Sequence, residues 1–474
     1  MMNRLKSSAA ALGLSVALAS VVATPVLAQV VPMPAVGRPK AVAMPQMEDF
    51  QLSNGIKVTF IPYEVVPKAI VYVGIPTGSN ADGDKAWLSD FTVSLMREGA
   101  GNLSGAQLSE AFADMGGAMS SGVGNDRTNF QTTVLSERVT DAIDLLSTIV
   151  RQPTLPQEPV ERIRQGMLRS IAIGKSQASG QLSEAYAATL YPNHPYGVVY
   201  ADPAVVGSFT AEDAKAFYGD HIGPNGVQIY VGGTFNNAAT KAALERAFGS
   251  WRGNNQPAVA PATAPVARRV VLVNRPNAVQ STFRLAVDVP VLGSPDAIKY
   301  EVMDSLLGGA FNSRITTNIR EDKGYAYSPG SSIENIDKRT SHWVYDADVT
   351  AANTGDALKE IFSEIRRLQS EAPTAAETTG TQNYNAGIYT LGLGSTSGAI
   401  GKVIWADRNG LPRSYLDAFV PAAMAVTAQD IQRAAQGLDL SKMTLVVVGD
   451  LETVRPQLEA LPELQGVTFE VFQP

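Results

Sequence analysis

Thr210-Ala211-Glu212-Asp213 is followed, after a helical stretch, by the strand Val227-Gln228-Ile229-Tyr230-Val231 and then Gly232-Gly233. The same order returns as Thr427-Ala428-Gln429-Asp430, a helix, Leu445-Val446-Val447-Val448 and Gly449-Asp450. Both landmarks, the leading Thr and the Gly closing the strand, are displaced by 217 residues. A Thr side chain caps a helix N-terminus, and an acid in the first turn faces the positive end of the helix dipole. One such match could arise by chance. Two in one register predict a duplicated domain.

Working outward, Gly253 to Val266 (GNNQPAVAPATAPV) divides the chain into nearly equal halves. Its alanines and prolines, almost without charge, predict a semi-extended connector. The first half, 48–252, opens with Phe50 to Phe60, where Asn54-Gly55 between alternating apolar residues predicts a hairpin. A strand at Ala69–Ile75 follows, then helices over Ala86–Arg97, Ser104–Met115, Val139–Arg151 and Val160–Ile173. Val139, Ala142, Ile143, Leu146 and Val150 form one helical face, with Ser136 as the expected cap. The second half, 267–474, repeats the pattern with strands at Arg269–Asn274 and Thr282–Val289. Ser294-Pro295-Asp296 is expected to open a helix, and Gly355–Leu368 carries another apolar face. The predicted class is α+β: two homologous halves, each a mostly antiparallel sheet with helices on one face, with room for two sub-domains per half.

The 474 residues are 45% hydrophobic and 18% charged, which excludes a disordered or fibrous chain. Zero cysteine excludes disulfides, thiolate metal sites and thiol nucleophiles. A net charge of −7 without an arginine-rich run argues against nucleic acid as a partner. Arg4 and Lys6, the apolar Ala9–Val22 and Pro25-Val26-Leu27-Ala28 predict an export signal over 1–28, cut before Gln29. Ser7, Ser8, Ser15 and Ser20 weaken it as an anchor, and no later stretch is apolar enough to span a bilayer. The mature chain is therefore expected to be periplasmic or secreted, without a stable membrane anchor. Residues 29–47, rich in proline, are expected to form a flexible lead-in.

Complete catalytic apparatus is missing from the residue pattern. His194, His221 and His342 are far apart, and none has a second His three or four residues away. Gly392-Leu393-Gly394-Ser395-Thr396-Ser397-Gly398 lacks the spacing of a nucleophile elbow or a phosphate loop. It is expected to be a helix start or a loop. Gly116-Gly117-Ala118-Met119-Ser120 and the alternating Asn129–Val134 are either a sheet edge open to an added peptide strand or ordinary internal strand.

The most distinctive stretch is Leu306 to Ser328, LLGGAFNSRITTNIREDKGYAYS. It resembles the signature of the carboxyl-terminal half of insulinase-family metallopeptidases, the inverzincins that include pitrilysin and the mitochondrial processing peptidase. In catalytic chains of that family the amino-terminal half carries H-x-x-E-H on its first long helix, and a distal Glu completes the zinc site. Aligning Glu98-Gly99 places Asp90 and Ser94 at the two His positions, Val93 at the Glu position, and Ser170 near the distal ligand. Asp90 alone could touch a metal. The resemblance therefore implies no metal and no cofactor held by this chain.

Arg320 and Tyr327 match the family's Arg/Tyr pair, with Tyr325 as a rival for the tyrosine's role. In the resemblance, the pair contacts substrate across a chamber: a guanidinium offers donors to peptide carbonyls, and a phenol can donate to an oxyanion. The resemblance implies a non-catalytic subunit of a heterodimer, acting in trans. Its zinc-bearing partner would carry H-x-x-E-H and supply the zinc, and the pair would hold unfolded peptide. The alternative is a stand-alone peptide-binding or scaffolding protein without a role in proteolysis.

Overall fold

The computed structural model describes residues 37, 43–63, 66–253, 268–337 and 339–473. The expected export signal, most of the lead-in and the connector beyond Gly253 lie outside the described residues. Both capping motifs form. The Thr210 hydroxyl accepts from the Asp213 amide and the Asp213 carboxylate accepts from the Thr210 amide, closing a reciprocal box; Thr427 and Asp430 do the same.

The main sheet of the first half holds six strands: β1 (Glu48–Gln51), β2 (Lys57–Pro62), β3 (Lys68–Ile75), β4 (Met119–Val123), β5 (Thr128–Leu135) and β6 (Gln228–Gly233). The second holds β7 (Arg269–Asn274), β8 (Gln280–Val289), β9 (Gly330–Asp337), β10 (Thr340–Thr350), β11 (Thr444–Gly449) and β12 (Phe469–Phe472). Read from one edge, the sheet orders are β4-β5-β3-β6-β2-β1 and β9-β10-β8-β11-β7-β12. Five positions correspond in order and direction, including the single parallel pair β6–β2 and its counterpart β11–β7. The sixth differs: β1 enters from the start of its half and runs antiparallel, whereas β12 ends the chain and runs parallel. The duplication read from the 217-residue register is thus a duplication of topology.

The longer helices of the first half are α1 (Leu88–Met96), α2 (Gly105–Asp114), α3 (Val139–Arg151), α4 (Val160–Ser176), α5 (Ala178–Leu190), α6 (Ala211–His221) and α7 (Asn237–Phe248). Those of the second are α8 (Ala297–Asp304), α9 (Thr354–Ser370), α10 (Ala375–Gly392), α11 (Thr396–Arg408), α12 (Ser414–Ala425), α13 (Ala428–Gln436) and α14 (Leu451–Glu459). Each sheet packs one face on its own helices. Phe60, Val71 and Val231 share a core with Ile143 and Leu146 of α3, and Phe283, Leu285 and Val447 share one with Ile361 and Ile365 of α9.

The opposite faces are covered by an exchange between halves. Leu182, Tyr186 and Leu190 of α5 pack on Val271, Val446 and Val448 of the second sheet. Reciprocally, Ile400, Val403 and Ile404 of α11 pack on Ile61, Ile70 and Tyr230 of the first. Burial on both faces explains why Leu445–Val448 is an unbroken apolar run rather than an alternating one. A second clasp is polar. The Arg413 guanidinium donates to Asp49 at 2.7 and 2.9 Å, to Thr59 at 3.0 Å and to Asp407 at 3.1 and 3.3 Å.

Three local expectations change. Ser136 does not cap α3; its hydroxyl turns to Glu137, and a 3₁₀ turn over Ser136–Arg138 leads into the helix. Ser294-Pro295-Asp296 precedes α8 without capping it, because the Asp296 carboxylate is held by Lys299 at 2.6 Å. The Asn54-Gly55 turn is a longer loop, closed by a bond from the Leu52 amide to the Ile56 carbonyl, with Gly55 at φ 87°. By contrast, Ser395 caps α11 by accepting from the Gly398 amide, so the glycine-rich stretch is a helix start.

Candidate functional site: a serine-substituted cleft and an Arg/Tyr pair

Helix α1 begins without a cap from its own preceding residue, since Trp87 is left-handed at φ 73°. Asp82 takes that role from a distance, accepting from the amides of Trp87 at 2.9 Å and Ser89 at 2.8 Å. Burial pushes the Asp82 carboxyl up to about 7. Phe91, Leu95 and Met96 are fully buried and Val93 is 4% exposed, all within the first core. Asp90 and Ser94, one turn apart, lie on the half-buried side.

Ser94 lines a cleft of about 940 Å³ between α1, α2, α4 and the start of β4. Ser170, on α4, lines the same cleft and its hydroxyl donates to the Gly166 carbonyl at 3.1 Å. The structure therefore brings together two of the four positions singled out from the sequence. Val93 sits behind them in the core, and Asp90 is not among the lining residues. Burial pushes the Asp90 carboxyl up to about 6, which disfavours the charged form a metal would need.

Zinc sites use thiolate, imidazole or carboxylate donors converging on one point. Serine hydroxyls and a valine do not supply them. Among the described residues no group of three His, Cys, Asp or Glu is placed to hold a metal ion. The residues present do not fit zinc.

Arginines were missed from the sequence. Arg97, Arg162 and Arg169 line the cleft, contributed by the end of α1 and by α4. Their separation along the chain left no local signal.

The second site is built on the Leu306–Ser328 stretch. A Cβ on Gly308 would lie 2.5 Å from the Ser331 hydroxyl oxygen, and one on Gly309 would lie 2.4 Å from an Asp304 carboxylate oxygen. The paired glycines thus leave room for Asp304, which accepts from Trp343 Nε1 at 2.8 Å and from the Ser331 hydroxyl at 2.5 Å. Arg314 donates to Glu377 at 2.8 Å, anchoring the segment to α10 and holding that carboxyl down at about 2.

A wide-turn helix over Thr317–Asp322 follows, and Gly324 at φ 66° reverses the chain. The Gly324 amide bonds to the Arg320 carbonyl and the Tyr325 amide to that of Ile319. Tyr325 then packs against the second core, whereas Tyr327 is 83% exposed. The following strand, β9, begins at Gly330, directly after Pro329, which offers no amide to the ladder. Arg320 lies 4.3 Å from the centre of the Phe311 ring and 5.7 Å from that of Tyr327. Phe311, also exposed, was not singled out from the sequence although it lies inside the signature. The result is a guanidinium framed by two aromatic rings, with a phenol free to donate outward.

The histidines take no part. His342 is buried against Asp288 at 3.0 Å, and His221 lies beside Phe217.

Residues 58–204 match the family model "Insulinase (Peptidase family M16)", and residues 208–385 match "Peptidase M16 inactive domain". An uncharacterized zinc protease of Bacillus subtilis, YmxG, is 22% identical over 73% of this chain and 85% of its own. One from Mycobacterium bovis is 23% identical over 88% and 96%. The fold is shared with a peptidase M16 inactive domain from Pseudomonas fluorescens, at TM-score 0.76 and 21% identity over 85% of this chain and 98% of that one. It is also shared with the periplasmic protease PqqL of Escherichia coli, at TM-score 0.72 and 15% identity over 88% of this chain and 49% of PqqL. With two models of one family spanning most of its described length, a duplicated α+β fold and a cleft that does not fit zinc, the chain belongs to the M16 insulinase family as an inactive metallopeptidase-like member.

Proposed function

We propose that this chain is the zinc-less member of an exported, two-chain M16 peptidase, and that it holds peptide for a partner carrying H-x-x-E-H. The observation that carries this reading is an asymmetry between its halves. The cleft of the first half offers serines where metal donors belong, while the second half exposes Tyr327 beside a half-buried Arg320 that also pairs with Glu321 at 3.2 Å. Zinc and the cleavage chemistry belong to the partner. This chain contributes donors: Arg320 toward peptide carbonyls and the Tyr327 phenol toward the oxygen that gains charge during cleavage. Its match to about half of PqqL leaves room for a second chain of similar size, and that protease's periplasmic setting agrees with the expected export signal.

The test is coexpression with an H-x-x-E-H chain and a peptide-cleavage assay on the purified complex. Tyr327→Phe is expected to lower kcat by about 100-fold, the order seen when one oxyanion donor is lost. Assembly should be unchanged, because the side chain is exposed. Equal turnover in variant and wild-type complexes rejects the role.

A second reading has its own observation. β4 (Met119–Val123) is an edge strand beside the cleft, whereas Asn129–Val134 lies in the internal β5. An unpaired edge can accept an extended peptide as an added strand without any partner. Peptide binding by the isolated chain, with no stimulation of an H-x-x-E-H chain, would favour scaffolding.

A further inference from the structure

The cleft that lacks metal donors has a definite charge of its own. Arg97 follows α1, and Arg162 and Arg169 are two turns apart on α4, so both can face one groove. Glu98 is the one carboxylate among the lining residues, and it pairs with Arg162 at 2.6 Å. Arg97 and Arg169 make no ion pair or side-chain hydrogen bond among the described residues. Two uncompensated guanidiniums therefore face one groove on a chain whose net charge is −7. Leu108 and Phe112 of α2 are buried behind the groove, and its partly exposed apolar lining comes from Trp87, Met167 and Met119 of the edge strand.

A cationic end, the partly exposed Trp87, Met119 and Met167 and an open strand edge match one ligand chemistry: an extended peptide bearing a carboxylate between apolar side chains. The edge would supply main-chain hydrogen bonds and the walls would take alternate side chains. Guanidiniums pair with carboxylates in a two-pronged geometry that neutral side chains cannot copy. We infer that this cleft selects peptide segments carrying a carboxylate, which Arg97 and Arg169 engage beside the positions where the family's metal ligands would stand. The inference rests on the peptide-holding reading above and specifies which peptides are held.

Calorimetric titration of the full-length mature chain at low salt tests it with three ten-residue peptides of one alternating apolar sequence. The first carries two central Glu and an amidated end, the second two Gln and an amidated end, and the third two Gln and a free carboxyl terminus. The Glu peptide, or the one with a free terminus, should bind about tenfold tighter than the neutral one, as two exposed ion pairs allow. Whichever gains identifies the carboxylate as a side chain or a chain end.

The gain should vanish in the Arg97→Gln, Arg169→Gln double variant. It should shrink at about 1 M salt, where the screening length falls to about 3 Å. Both arginines are exposed, so unchanged circular dichroism is expected to show that the variant is folded. Equal binding of all three peptides, or a preference that survives the double variant, overturns the inference while leaving peptide holding intact. Absence of binding by every peptide overturns both.

Discussion

Gly232→Ala is the sharpest probe of how the two halves hold each other. Gly232 sits in β6, buried, where α11 of the other half crosses the sheet. A Cβ there would lie 2.1 Å from Ile400 Cδ1, 2.4 Å from Ile400 Cγ1 and 3.3 Å from the Ile61 carbonyl oxygen. Ile400 is itself 2% exposed and has little space to retreat. Overpacking of this kind costs about 1–3 kcal/mol. Ile400→Ala removes both offending carbons and alone costs about 2–5 kcal/mol through the cavity it leaves.

In that background the added methyl fills part of the cavity, so Gly232→Ala should become neutral or slightly stabilising. The double-mutant coupling should therefore be about 1–3 kcal/mol. For a cooperative unit of more than 400 residues, each kcal/mol moves Tm by only about 1 °C. Denaturant titration of the four proteins is thus the better assay. Equal destabilisation by Gly232→Ala in both backgrounds would refute the packing of α11 on the first sheet.

Further outcomes come from the polar contacts. Arg413→Ala should destabilise by about 2 kcal/mol, since it leaves Asp407 with the Tyr230 hydroxyl as its hydrogen-bond donor and cuts three links to the first half, discounted for the exposed Asp49. Asp49→Asn alone should cost less, which the same titration checks. Burial first, then the neighbouring Asp304, pushes the Glu301 carboxyl up to about 7, above its unfolded range. The folded state then holds this proton more tightly than the unfolded one. Stability from this group is greatest below about pH 4.5 and falls as pH rises toward 7. Glu301→Gln should flatten Tm against pH over that window, most visibly between pH 6 and 7, where Asp304, raised to about 6, contributes less. An unchanged slope would show that Glu301 is not titrating there.

Local chemistry was legible in the sequence, and tertiary partnership was not. The Thr210 and Thr427 boxes span four residues each, so their register alone exposed the duplication. Val139–Arg151 was bounded to the residue because its apolar face is continuous. By contrast, α5 and α11 bury their faces on the other half, and no local spacing names that partner. Alternation could not separate the edge β4 from the internal β5, because pairing decides it. Ser94 and Ser170 were found through the family signature. The arginines between them carried no signature and became visible only when α1 and α4 enclosed a common cleft.

The exchanged helices also set an order of events during synthesis. The first sheet is complete once Gly233 has been made, yet α11 does not begin until Thr396. More than 160 residues separate the two, so α11 cannot cover the first sheet until that length of chain has followed it. Until then, Ile61, Ile70, Tyr72 and Tyr230 form a greasy surface with no lid. A nascent chain in this state is a natural client for a holding chaperone. A fragment truncated after the connector would carry the same bare surface permanently and should collect in inclusion bodies rather than fold as half a protein.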